Sequence, residues 1–194
     1  MSKYLDLRQG FWREEFSKAL AYDAYLAAGD SKHRAKWEAL DPKIRLTSEQ
    51  ESLLGGFARK MPVLCYSGIW CGDCVRQGPI LRRIAQANPK IDLRFAERID
   101  DSRLADELRM NGALKVPVVV FLSEDFYEVA RFGDRTLSAY RRIARATVGP
   151  ACDTGLKAPS DTDLATEIQE WVDIFERAHL MLRLAPQLRE RYGD

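Results

Sequence analysis

Met61-Pro62-Val63-Leu64-Cys65-Tyr66-Ser67-Gly68-Ile69-Trp70-Cys71-Gly72-Asp73-Cys74 is the stretch on which the fold turns. Pro62 to Ser67 is a short apolar run with no helical stripe, which reads as a strand buried on both faces. It ends directly at Trp70-Cys71. Over residues 72–87, Val75, Ile80, Leu81, Ile84 and Ala85 follow a helical pattern interrupted by Pro79, so a helix kinked near that proline is expected. Two cysteines therefore fall at a strand-to-helix junction.

Downstream, Ile91 to Ala96 reads as a second strand. Ser102 is placed to cap a short helix through Met110, which Asn111-Gly112 stops. Val116 to Leu122 is the most strand-like segment, and Tyr127 to Phe132 after the Ser123-Glu124-Asp125 turn makes its antiparallel partner. Thr136 to Thr147 reads as a helix on their flank. The order from Met61 predicts a mixed α/β sheet with helices on both faces.

Upstream, Phe11, Phe16, Leu20, Ala24, Ala27 and Ala28 keep one helical spacing until Gly29-Asp30-Ser31, and His33 to Leu40 predicts a second helix closed by Pro42. A third should run from Thr47 to about Arg59, opened by a capping box of Thr47 with Gln50 or of Ser48 with Glu51. At the other end, Gly149-Pro150 to Pro159-Ser160 is rich in turn formers and reads as a linker carrying Cys152. In one last helix, Leu164, Ile168, Trp171, Phe175, Ala178 and Leu182 form a continuous apolar stripe. That stripe is expected to pack on this chain's own domain, with a homodimer interface or partner groove as the alternative.

Thirty basic against 29 acidic side chains leave a formal charge of +1, so no global field attracts nucleic acid or an anionic membrane. No stretch approaches the roughly 18 apolar residues of a membrane span. The N-terminal residues lack the apolar core of a secretory signal, which gives the expectation of a cytoplasmic protein. Four cysteines are too few for a secreted disulfide scaffold.

Two cysteines separated by two residues at such a junction suit redox chemistry. The first sulfur meets free backbone amides and the helix dipole, which favour a thiolate, and the second lies one turn away, where it can close a disulfide. Cys71 is thus the expected nucleophile, forming a mixed disulfide that Cys74 resolves.

Trp70-Cys71-Gly72-Asp73-Cys74 resembles the Trp-Cys-Gly-Pro-Cys motif of the thioredoxin family. Pro79-Ile80-Leu81 matches the proline that kinks that family's active-site helix, Lys115-Val116-Pro117 its cis-proline loop, and Gly133 the glycine after its last strand. These matches span about residues 60–147 in the right order. The WCGDC signature with helical additions at both ends is similar to bacterial thioredoxin-like proteins of about this length.

The resemblance implies a thioredoxin-like fold: a mixed central sheet flanked by helices, with extra N-terminal helices and a long C-terminal helix. Residues 1–59 would form a helical extension packed on the core, 60–148 the thioredoxin-like domain, and 149–194 the linker and amphipathic helix. It implies thiol–disulfide exchange by Cys71 and Cys74. Trp70, Gly72, Asp73, Val116 and Pro117 would line the site against a protein or low-molecular-weight disulfide. Electrons would come from an unidentified reductase or thiol donor, and neither a bound cofactor nor a metal is needed.

Departures from the family are specific. Thioredoxins place a buried aspartate six residues before the nucleophile, where this chain has Cys65; the lysine that partners it falls at Ala96, with Glu97 and Arg98 the nearest charges. Resolution by Cys74 should therefore be slower or differently pH-dependent. Asp73 stands where the family has proline. A carboxylate about 6 Å from Cys71 opposes thiolate formation by at most about 3 kcal/mol at an effective dielectric near 20, against up to about 2 kcal/mol from the helix terminus. Asp73 should make the couple more reducing.

Other readings compete. A zinc site needs four ligands, and beyond the pair only Cys65, Cys152, His33 and His179 remain, with no second close pair. Cys65 reads as core packing rather than a regulatory disulfide, and Cys152 as a spectator thiol. Both histidines read as surface residues, and Trp70 could simply pack. A non-catalytic interaction module with a redox-sensitive dithiol is the alternative function; a thiol peroxidase lacks its Thr-x-x-Cys pattern here.

Overall fold

The computed structural model describes residues 3–148 and 163–193. Cys152 and the expected linker lie outside the described residues. The elements run α1 (Gln9–Lys18), α2 (Tyr22–Ala28), α3 (Ser31–Leu40), a 3-10 turn (Asp41–Lys43), α4 (Ser48–Gly55), β1 (Met61–Ser67), α5 (Gly72–Gln86), β2 (Ile91–Glu97), α6 (Arg103–Glu107), β3 (Val118–Leu122), β4 (Glu128–Gly133), α7 (Leu137–Val148), α8 (Asp163–Leu184) and α9 (Pro186–Tyr192).

The four strands lie in the order β2-β1-β3-β4. β1 and β2, joined through α5, are parallel, whereas β1–β3 and β3–β4 are antiparallel. Every residue of β1 is buried, as its apolar run requires of a strand covered on both faces. β2 alternates, with Ile91, Leu93 and Phe95 inward and Asp92 exposed. Its outer edge is capped by one two-way bridge, in which Leu20 N donates to Phe95 O at 2.9 Å and Phe95 N to Leu20 O at 2.7 Å.

Register sorts the faces. Cys65, Phe95, Val119 and Phe132 pair across the sheet and share one face. Tyr25 stacks on Phe95 with ring centroids 5.2 Å apart, Trp37 meets the same ring, and Trp171 of α8 meets Phe132 at 5.1 Å. On the opposite face the guanidinium of Arg94 lies 4.8 Å from the Phe16 ring centroid, and that of Arg131 lies 5.5 Å from Trp12 of α1. The N-terminal helices thus straddle the sheet.

Several local readings are corrected. The first helical run is two helices, because residues 19–21 straighten to let Leu20 bridge Phe95. α4 stops at Gly55 and α6 at Glu107, each short of expectation, although the capping box of Thr47 with Gln50 and the Ser102 cap are present. β3 starts at Val118, two residues after Val116. Two helices, not one, close the chain. The stripe Ile168, Trp171, Phe175, Ala178 and Leu182 is buried on this chain's own core.

His179 is not a surface residue: it is 6% exposed, stacks on Phe57 and accepts hydrogen bonds from the amides of Ala58 at 3.0 Å and Arg59 at 3.4 Å. Buried Glu167 joins α8 to its neighbours through Arg76 at 2.5 Å and Arg142 at 3.1 Å. No helix among the described residues is long and apolar enough to cross a membrane.

Candidate active site

β1 delivers the chain through Gly68-Ile69-Trp70 to Cys71, the N-cap of α5, whose extended backbone (φ −78°, ψ 126°) turns the half-buried side chain toward the first free amides of the helix. The Cys71 thiol is lowered to about 6. The leading cause is a hydrogen bond from Cys74; the backbone amides of Cys74 and Asp73 help, while burial and, as the weakest of these influences, the Asp73 carboxylate oppose. The expected sign of Asp73 is therefore right, but its own amide works against its charge.

Cys74, one turn into the helix, is 1% exposed, and burial pushes its thiol far above the usual range, with the Cys71 sulfur acting the same way. Gly68 N donates to Cys74 Sγ at 3.4 Å. Both thiols are free. One sulfur is poised to ionise and the other is held protonated behind it.

Opposite Cys71 stands the loop before β3. The Val116–Pro117 peptide bond is cis, both residues are buried, and Cys71 Sγ donates to Val116 O at 3.7 Å. Gly133 makes room for this loop: a Cβ there would sit 2.7 Å from Pro117 O, and backbone cannot give way as a side chain can. Trp70 is 48% exposed over the site, with Arg98 5.5 Å from its ring centroid. Gly68 permits this pose, since a Cβ would come within 2.9 Å of the indole. Gly72 is exposed, and a Cβ there would meet nothing.

Residues outside the motif hold the site. Trp37 Nε1 donates to Ile69 O at 2.9 Å; Ile69 N donates to Glu97 Oε2 at 3.1 Å, which also accepts from Tyr25 Oη at 2.5 Å. On the other side Arg135 pairs with Asp73 at 2.6 Å and with Asp134 at 3.2 Å. Asp134 also faces Lys115 at 3.5 Å and accepts from the Tyr140 hydroxyl. Burial resists ionisation of Asp134, yet Tyr140, a backbone amide, Lys115 and Arg135 together hold its carboxyl below the usual range. Gln77 Nε2 donates to Asp134 O at 2.9 Å, and Trp171 Nε1 to Gln77 Oε1 at 3.2 Å.

Sequence reasoning named Glu97 and Arg98 as the nearest charges but missed Trp37, Gln77 and Arg135. Only Arg135 left a hint, two residues after Gly133. Cys65 is 1% exposed and its thiol is pushed up by burial, so it packs as a small apolar group. His33, half-buried on α3, and His179 lie apart from the dithiol. Among the described residues no group of three or more His, Cys, Asp or Glu side chains is placed to hold a metal.

Residues 19–146 match the family model described as thioredoxin. No curated protein matches the chain in sequence. Among solved structures, a protein of unknown function, PA1234 from Pseudomonas aeruginosa, is 22% identical and superposes with a TM-score of 0.65 over 92% of this chain and 99% of its own. An HIV epitope scaffold is 21% identical, with a TM-score of 0.57 over 88% of this chain and 93% of its own. At these identities the likeness speaks for the fold alone.

Proposed function

This chain belongs to the thioredoxin family, and from that premise we propose that it is a thiol–disulfide oxidoreductase with Cys71 as nucleophile and Cys74 as resolving cysteine. The observation that carries the reading is the asymmetry of the pair: a half-exposed sulfur whose thiol is lowered to about 6 at a helix N-terminus, 3.7 Å from the carbonyl before Pro117, backed by a buried protonated one.

In the reducing direction the Cys71 thiolate attacks one sulfur of the substrate disulfide. That S–S bond breaks, and the departing thiolate takes up a proton. Cys74 then loses its proton and attacks Cys71 Sγ, releasing the second substrate thiol. The substrate gains two electrons and the protein holds a Cys71–Cys74 disulfide, which a reductase or low-molecular-weight thiol returns to the dithiol. An extended substrate would lie along the Val116–Pro117 loop and under Trp70. With Cys65 buried and neutral where the family has a carboxylate, no carboxylate stands at that position to take the Cys74 proton, so resolution should be slower or differently pH-dependent.

Insulin or glutathione-disulfide reduction tests this. Wild-type protein should turn over, and both Cys71→Ser and Cys74→Ser should abolish multiple turnover. Activity surviving Cys71→Ser, or no activity at all, rejects the reading in favour of an interaction module.

A further inference from the structure

Resting on the assignment of Cys71 as the nucleophile, we propose that Arg135 is a positioning residue of this site: its guanidinium grips the Asp73 carboxylate, cancels that carboxylate's repulsion of the Cys71 thiolate, and so sets how acidic Cys71 is. Asp73 lies between the two cysteines, and among the described residues its ion-pair partner is Arg135 at 2.6 Å. Arg135 is itself fixed. It pairs with buried Asp134 at 3.2 Å and lies 5.9 Å from the Tyr140 ring centroid, and the Asp134 carbonyl is tied to Gln77 at 2.9 Å.

The other charges facing the site do not pair with Asp73. Arg98 holds Asp100 at 2.6 Å while its guanidinium lies over Trp70 and attracts the Cys71 thiolate directly, not through Asp73, and Lys115 faces Asp134 at 3.5 Å. Cys74 stays protonated behind. The carboxylate that raises the Cys71 thiol is therefore paired, among the described residues, with one cation. The helix amides stabilise the thiolate whether or not Arg135 is there, so the ion pair is the adjustable part of the balance.

The test follows the pH dependence of Cys71 alkylation by iodoacetamide, located by mass spectrometry, in Arg135→Gln, Asp73→Asn, the double variant and Arg135→Lys. Arg135→Gln should raise the midpoint by about 0.5–1 pH unit, and Asp73→Asn should lower it by less, since the paired carboxylate's repulsion is already largely cancelled. The double variant should stay within about 0.3 unit of Asp73→Asn, because Arg135 acts through the Asp73 carboxylate and has little left to cancel once it is gone. Arg135→Lys, which keeps the charge, should restore most of the shift and shows that folding alone is not being read. An unchanged or lower midpoint in Arg135→Gln overturns the proposal, as does an equal rise on the Asp73→Asn background. Insulin reduction separates the two ideas: midpoints that move as stated without turnover sink the oxidoreductase reading alone, whereas turnover with unmoved midpoints sinks only the role of Arg135.

Discussion

On the side of the N-terminal helices, the loop before Cys71 is held by the buried Trp37 indole on Ile69 O at 2.9 Å and by Glu97, whose carboxylate takes both Ile69 N and Tyr25 Oη. On the side of the C-terminal helix, α5 and the chain after β4 are joined by Trp171, Gln77, Asp134, Arg135 and Asp73, a line that begins with buried amide contacts and ends in ion pairs at the rim. The first flank is dominated by packing and short-range bonds, so it fixes where the sulfur sits. The second brings opposite charges beside Cys71 and, on the role proposed for Arg135, tunes how readily that sulfur ionises. On that proposal, the helical extensions expected to pack on the core divide geometry and electrostatics between them.

The sharpest way to break this division is Trp37→Ala. The ring is fully buried, and a Cβ on Gly78 of α5 would run into it, so truncation opens a cavity at the contact between α3 and α5. A loss of about 3–5 kcal/mol is expected, read by urea denaturation. Trp37→Phe keeps most of the packing but leaves Ile69 O without its donor, for about 1–2 kcal/mol. It should slow exchange without moving the Cys71 alkylation midpoint, and a shift like that of Arg135→Gln would erase the distinction between the flanks.

Local signals were legible where the chemistry is local. The Thr47–Gln50 capping box, the Ser102 cap, the apolar run of β1 and the proline at 117 each act over a few residues, and all appear in the structure, while Pro79 lies inside α5 as expected. What could not be read depends on distant partners. Ala19-Leu20-Ala21 are good helix formers, and only pairing with Phe95 straightens them. Arg135 and Asp73 are far apart in sequence and carry no shared pattern. His179 was readable in part: it follows Phe175 by four residues and so lies on the edge of the buried stripe, but the Ala58 and Arg59 amides that make its burial affordable could not be seen.

A second measurement, smaller in effect, uses pH. The folded Cys71 thiol sits near 6, below the ordinary thiol value, so its thiolate contributes stability that is fully present above about 8.5 and is lost as pH falls through 6. Cys74 is shifted the other way, so above about 8.5 the unfolded thiol ionises while the folded one does not, and stability falls again. The difference in unfolding free energy between reduced wild type and Cys71→Ser should therefore grow by about 1–2 kcal/mol from pH 5.5 to 8.5, allowing for solvent screening of a half-exposed sulfur. A flat difference would mean that the helix amides and Cys74 do not stabilise the thiolate.

The smallest effect is expected from Trp171→Phe, which probes where the second flank changes from scaffold to charge. Phenylalanine keeps a ring against Phe132 at 5.1 Å but leaves the buried Gln77 Oε1 without its donor at 3.2 Å. That should cost about 1 kcal/mol, a fall in Tm of roughly 2–4 °C for a chain of this size. Gln77 holds the Asp134 backbone rather than the Arg135 guanidinium, so the Cys71 midpoint should move by much less than in Arg135→Gln. A midpoint shift as large as that of Arg135→Gln would place the C-terminal helix itself in control of the thiol, with the ion pair only relaying its position.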